Sequence, residues 1–380
     1  MSASERPDPG YFLYHSIGLY LGKAEEMAAA LSRFSDIWGA PDDAQWPTVL
    51  AARAEFLALW EALIGAPAGS LTTAESVTAG LYSVIGALPA DRLQGKRVLV
   101  SADCFPSLHF LLAGLAPRFG FTLDTVPLRP GEAWVREDDV MARLGPDVGL
   151  TLVTLVTSTA SYRADLQALL PAIRAAGSLA ALDLTQGIGV VPFSVTGGAD
   201  IVVSTSLKWL CGAPGAGVLY VRPDLLADCA PELRGWFSQP DPFSWDLDGF
   251  AYAPDARRFD AGTPAPLAAI ASVPGLRWHA TQDAGALLAH SQGLCAAILD
   301  AAAGLGLTPA SPADPTRRGG SVMLRVPEDV DAGAVVAALR AERLHLDARG
   351  PVLRLSPGPV TTEADVARLI PALAAALRAC

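Results

Sequence analysis

Cysteine is scarce in this chain, and its placement is unhelpful to any cross-linked architecture. Cys104, Cys211, Cys229, Cys295 and Cys380 are odd in number and show no close pairing, which argues against both a disulfide framework and a structural zinc site. The five histidines are equally scattered. His345 and Asp347 come closest to ligand spacing, since alternation on a strand could put both on one face, but chance proximity accounts for them and no metal centre is expected. Positive charge is also in short supply: 28 Lys and Arg face 39 Asp and Glu, for a net −11 without a basic run. A phosphate-tracking surface therefore has no source, and nucleic acid is not an expected partner. Long apolar runs are missing too. Val148 to Val156 is short and interrupted by Thr, which suits a buried strand and not a membrane span. The opening residues, Met1 to Gly10, lack a basic segment followed by an apolar one, so a cytoplasmic location is expected.

What the chain does have is apolar material, 51% of 380 residues, enough for a large core and a smaller appended unit. Between Arg97 and Arg222, short β-branched or apolar runs alternate with segments of helical period. The runs are 97–101, 148–156, 179–183, 200–205 and 218–221, an α/β pattern. Leu166, Leu169, Leu170 and Ile173 recur at helical spacing before Gly177, which predicts a crossover helix closed by a glycine cap. Pro- and aromatic-rich sequence from Pro231 to Pro266 interrupts the alternation, and two Ala/Leu helical stretches and a strand-like segment, 352–355, follow it. The expected organisation is an N-terminal segment, 1–45, helical around Ala28 to Phe34 and packed on the C-terminal domain or edging the active site. A large domain over 46–265 and a small α+β domain over 266–380 follow.

Chemistry is concentrated in two stretches, Ala181-Leu-Asp-Leu-Thr-Gln186 and Asp200-Ile-Val-Val-Ser-Thr-Ser-Leu-Lys208-Trp-Leu-Cys-Gly-Ala-Pro-Gly-Ala-Gly217. Open α/β sheets bind ligands beyond the carboxyl ends of their strands, where both Asp183 and Lys208 would face one crevice. Desolvation there favours the neutral amine that forms an imine with an aldehyde cofactor. An ionised Asp against a pyridine nitrogen would keep that nitrogen protonated, so that the ring drains charge from a substrate Cα. Taken singly, Lys208 reads as a snorkelling lysine and Asp183 as a cap residue. Together with the spelling Asp-x-Thr-Gln-x-x-Gly-x-x-Pro and Lys-Trp-Leu-x-Gly-x-x-Gly-x-Gly, they resemble the class V aminotransferase superfamily of fold-type I enzymes, which use pyridoxal 5'-phosphate (PLP).

Within that superfamily, several segments are similar to the kynureninase branch. The resemblance implies Lys208 as the Schiff-base lysine, Asp183 and Gln186 as cofactor contacts, and Thr205 and Ser206 beside them. Ser76-Val77-Thr78 matches the phosphate-binding turn, where a helix N-terminus offers unpaired N–H groups. Cys104-Phe105-Pro-Ser107 matches the segment whose Phe stacks on the cofactor ring. Gly235-Trp236-Phe237 implies an indole N–H on the phosphate, and Gly262-Thr263-Pro264 a phosphate contact across a homodimer interface. Phe12-Leu-Tyr-His-Ser16-Ile-Gly18 borders the substrate site in the family, making Ser16 a substrate contact. Arg354, in Asp347-Ala-Arg349-Gly-Pro-Val-Leu-Arg354-Leu-Ser-Pro, would clamp the α-carboxylate with a bidentate pair.

The spelling departs from that branch at four places. Leu207 stands where kynureninases place a Tyr, Gln186 where they place a His, and Leu108 where they place an Asp. The stretch from Gly39 to Gln45 lacks the substrate-recognising His. Kynurenine is therefore not the expected substrate. The foremost expectation is kynureninase-like side-chain cleavage of another amino acid, by a lyase or hydrolase. Transamination to the oxo acid is the alternative, and a non-catalytic scaffold is a third class. Desulfuration would need a mobile cysteine that 321–359 lacks.

Overall fold

The computed structural model describes residues 10–380, so the expectation about the first residues falls mostly outside the described ones. Seven strands form the larger sheet: β1 (Leu71–Ala74), β2 (Arg97–Ser101), β3 (Thr122–Val126), β4 (Val148–Thr154), β5 (Leu179–Asp183), β6 (Ile201–Thr205) and β7 (Gly217–Val221). Their order is β1-β7-β6-β5-β4-β2-β3. Every pairing from β3 to β6 is parallel, whereas β7 runs antiparallel to both β6 and β1. This is the α/β class that the alternating pattern implied. Strands β4, β5, β6 and β7 are buried at every position because helices cover both faces, which explains their unbroken apolar spelling.

One face carries Tyr14, Phe56, Trp60, Ile64, Leu182 and Val202; the other carries Leu81, Leu108, Leu112, Val203 and Leu219. Helices α1 (Lys23–Trp38) and α2 (Gln45–Ile64) pack with the helix Leu267–Ala280, and α3 (Val77–Ile85) packs near β6 and β7. The crossover helix forms at Leu166–Ala175, with Asp165 as its N-cap and Gly177 at φ 78° beyond its end. The parallel strands thus all deliver their carboxyl ends to one edge of the sheet, where Thr154, Asp183 and Thr205 lie.

The smaller sheet has four strands, β8 (Thr308–Pro309), β9 (Val322–Arg325), β10 (Asp347–Arg349) and β11 (Val352–Leu355), antiparallel in the order β10-β11-β9-β8. Its core takes Leu294, Cys295, Ile298 and Ala302 from the helix Ala284–Ala303. That helix is the one described segment long and apolar enough, by length and composition, to cross a membrane. Phe12 is fully buried in the same core, and Tyr11 and Leu13 form parallel bridges with His345 and Ser356. The N-terminal segment is thereby stitched to the smaller sheet.

Candidate cofactor and substrate site

A cavity of about 360 Å³ opens at the carboxyl edge of the larger sheet, and Lys208, Asp183, Phe105, Gln186 and Thr205 line it together with the first turn of α3. The chain contains three lysines. Lys23 Nζ donates to the Gly18 carbonyl (2.7 Å) and Lys96 Nζ to the Pro146 carbonyl (2.9 Å), whereas Lys208 makes no hydrogen bond among the described residues. Its Nζ stands 5.5 Å from the centroid of the Phe105 ring. Burial pushes the Lys208 amine down to about 8, against the pull of Asp183 and with help from Arg354 and Arg349. A usable fraction is therefore neutral near physiological pH.

Asp183 is buried at the end of β5 and accepts the Thr185 N–H on Oδ1 (2.9 Å). Burial raises its carboxyl pKa, while the Thr185 backbone N–H and the charge of Lys208 oppose the rise. A cationic ring nitrogen placed against it would supply the partner a buried carboxylate needs. Three more cavity-lining groups lack partners: Thr154 Oγ1, Ser158 Oγ and Thr185 Oγ1 are buried without a hydrogen bond. Orphaned hydroxyls cost about 1–3 kcal/mol each in a closed structure, so a polar ligand that satisfies them gains correspondingly. At the rim, the Ser76 hydroxyl caps α3 by accepting the Ala79 N–H (3.1 Å), leaving the earlier N–H groups of Val77 and Thr78 available to an anion. An amine for an aldehyde, a carboxylate for a ring nitrogen, an aromatic face, spare hydroxyls and a helix N-terminus together fit PLP.

Other residues singled out from the sequence lie elsewhere. Ser206 Oγ accepts the Trp60 indole N–H (3.0 Å) in the core and is not part of the cavity wall. Trp236 packs edge-on against Phe237 and Phe243, and Thr263 is exposed; neither lines the cavity. Gln186 does line it, but its Nε2 donates to the His15 carbonyl (3.0 Å). Ser16 lies beside that contact without reaching the wall.

The residue next to Ser16 is more heavily engaged. His15 is buried, with Nε2 3.0 Å from Asp347 Oδ1 and Nδ1 2.6 Å from Ser356 Oγ. Arg354 is also buried and donates Nε to Asp347 Oδ1 (2.8 Å) and Nη2 to Oδ2 (2.5 Å). Burial alone would raise the Asp347 carboxyl, but the hydrogen bonds from His15 and Arg354 hold it well below the usual carboxylate range. Asp347 therefore serves Arg354 and His15, and among the described residues no cluster of three metal-ligating side chains occurs. Neither His15 nor the three orphaned hydroxyls was singled out from the sequence.

The class-V aminotransferase family profile matches residues 61–368. The chain belongs to that family. Kynureninase from Deinococcus radiodurans is 32% identical over 83% of this chain and 76% of its own length. "Uncharacterized aminotransferase YcbU" from Bacillus subtilis is 29% identical over 82% of this chain and 80% of its own. Among solved structures, a C-DES mutant with glycine covalently linked to its PLP cofactor superposes with a TM-score of 0.86 at 20% identity, covering 97% of this chain and 96% of that one. As a class-V family member with the fold-type I architecture, the chain is a PLP-dependent enzyme.

Proposed function

We propose that this class-V enzyme holds PLP through Lys208 and cleaves the side chain of an α-amino acid other than kynurenine, as a kynureninase-like lyase or hydrolase. The observation that carries this is the meeting, in one cavity, of Asp183, Phe105 and the single lysine without a hydrogen bond among the described residues. When bound, PLP supplies an electron sink for charge developing at the substrate Cα. Neutral Lys208 is placed to take the Cα proton and to return it. Asp183 would favour a proton on a ring nitrogen set against it, and Phe105 would offer its ring to one face of the cofactor. The first turn of α3 would hold the phosphate, and Thr154, Ser158 and Thr185 would offer hydroxyls to the remaining oxygens. Arg354 supplies a guanidinium for the α-carboxylate, close enough to be felt electrostatically at Lys208.

Leu207 and Leu108 line the wall with hydrocarbon at positions where kynureninases carry Tyr and Asp, and this supports a substrate other than kynurenine. The same Leu207 favours transamination as the second reading, because that reaction needs no acid beyond the lysine. A homodimer in the cytoplasm would bring the exposed Thr263 turn to a second subunit's cofactor phosphate. Sedimentation analysis of the purified chain tests the dimer directly.

Incubating the PLP-loaded protein with a panel of amino acids, and identifying products by mass spectrometry, tests the reaction. Side-chain cleavage predicts alanine or pyruvate plus a side-chain fragment, abolished by Lys208→Ala. An oxo acid that retains the whole side chain, formed beyond one equivalent per cofactor only when a second oxo acid is supplied to accept the amine, would instead establish transamination.

A further inference from the structure

Where the N-terminal segment docks on the smaller sheet, a hydrogen-bonded chain forms whose polarity can be worked out group by group. An ionised Asp347 only accepts, so His15 donates to it from Nε2 (3.0 Å) and Arg354 from Nε and Nη2. Burial pushes the His15 pKa down against the attraction of Asp347, which leaves the ring neutral with its proton on Nε2. Nδ1 must then accept, so Ser356 donates its hydroxyl (2.6 Å) and accepts in turn from Ser321 (2.6 Å). Both serines are buried, and each polar atom along the chain has its partner.

None of Arg354, His15 and Asp347 lines the cavity wall, but both ends of this chain bear on residues that do. The His15 carbonyl accepts the Gln186 side-chain N–H, and three residues on, the Gly18 N–H donates to the carbonyl of Leu207 (3.2 Å), next to Lys208. At the other end, Asp347 occupies only one edge of the Arg354 guanidinium. Of its five donors, Nη1 and the second Nη2 hydrogen stay available along the opposite edge. Arg349 shares a sheet face with Asp347, is exposed without an ion pair among the described residues, and lowers the Lys208 pKa. Arg349 therefore keeps a positive charge in reach of the site even though Asp347 pairs with Arg354.

We propose that His15 and Asp347 are positioning residues that lock Arg354 with its free edge toward the substrate's α-carboxylate. This rests on Arg354 being the carboxylate-binding group, as above. An unpaired arginine spreads over many rotamers and loses that entropy on binding, and a misplacement of about 1 Å in a binding group can cost about a hundredfold. The Asp347 pair removes both penalties before the substrate arrives.

The test compares L-alanine with L-alaninamide, titrated into the PLP-loaded protein and followed by the change in cofactor absorbance. The wild type is expected to prefer the acid by at least about tenfold, and Arg354→Ala to lose that preference. Asp347→Asn and His15→Leu should lower it about tenfold, while His15→Gln, which keeps an N–H donor at Nε2, restores it. All variants should keep the colour of the lysine-bound cofactor. Asp347→Asn and His15→Leu proteins that retain the wild-type ratio overturn the proposal. If Arg354→Ala retains it, the carboxylate assignment itself is wrong. Nitrogen NMR of the histidine-labelled apoprotein, with His15→Gln assigning the signal, is independent of cofactor and reaction: a neutral ring protonated at Nε2 is expected, and a proton on Nδ1 or a charged ring at pH 7 contradicts the chain of donors.

Discussion

A Gly18→Ala substitution adds a methyl group where the chain has no room for one. Gly18 has no left-handed backbone requirement, but a Cβ built there would sit 1.9 Å from the Lys208 carbonyl oxygen, 2.9 Å from its carbonyl carbon and 2.9 Å from Cys211 Sγ. Two of the three obstacles are backbone atoms of the lysine loop, which cannot rotate aside. Reaching an ordinary contact of about 3.4 Å means a retreat of about 1.5 Å by one of the two segments. The Gly18 N–H bond to Leu207 (3.2 Å) and the Lys23 bond to the Gly18 carbonyl (2.7 Å) would stretch or break. Overpacking costs about 1–3 kcal/mol and the loss of one of these two hydrogen bonds about 1 kcal/mol, so a loss of roughly 2–4 kcal/mol is expected. At about 2.1 cal/mol/K per residue, unfolding of a chain this long carries roughly 0.8 kcal/mol/K, which turns that loss into a Tm drop of only about 3–5 °C. Binding should suffer more, because His15, three residues upstream, shifts with the segment and takes Arg354 with it. Differential scanning fluorimetry and spectral titration with an amino acid measure the two effects. A Gly18→Ala protein with wild-type Tm and wild-type amino-acid affinity would refute the reasoning.

Two further expectations follow from buried charges. Arg53 and Asp260 are both buried, 2.6 Å apart, and Thr72 donates to the same carboxylate oxygen (2.6 Å). Asp260→Ala would strand the arginine and cost about 3–5 kcal/mol in chemical denaturation; replacing both partners with apolar residues should recover much of that, and no recovery would count against the charge argument. The second concerns pH. The Lys208 amine loses its proton at about 8 in the fold and at its ordinary value of 10.5 otherwise, so between those values the unfolded chain binds the extra proton and this group adds stability as pH rises. Uptake of PLP by the apoprotein should accelerate about tenfold per pH unit below 8 and level off above it. A rate still climbing at the same slope between pH 9 and 10 would mean that burial does not depress this amine.

Local pattern was enough for the interior strands of the larger sheet and for one of the two in the smaller, the other, Val322–Arg325, going unread. The 97–101, 179–183 and 352–355 runs became strands with those bounds, because buried parallel and central strands must be apolar along their length. Edge strands escaped notice. Strand β1 is four residues with two threonines, and β3 carries Asp124, which pairs with Arg97 and Arg143. Polar residues at a sheet edge are offset by such partners, and no window of local hydrophobicity registers them. The site divides along the same line. Lys208 and Asp183 stood out because a charged residue closing a buried strand violates the pattern around it. Thr154 and Thr185 did not, since a β-branched residue in or beside a strand needs no other reason to be there. His15 depends on Asp347, 332 residues away, a meeting that only the docking of the N-terminal segment on the smaller sheet creates. Ser206 shows the opposite case: its neighbours face the cavity, while its own hydroxyl is committed to Trp60.

The central claim is that Lys208 carries the cofactor, and the shortage of lysine in this chain makes it directly testable. Protein reconstituted with PLP would be treated with borohydride, which converts a lysine–cofactor imine into a stable amine, then digested and mapped by mass spectrometry. The added mass is expected on the peptide containing Lys208, with neither that mass nor visible absorbance in Lys208→Ala. Label on Lys23 or Lys96 with none on Lys208, or no label on any peptide, would contradict it.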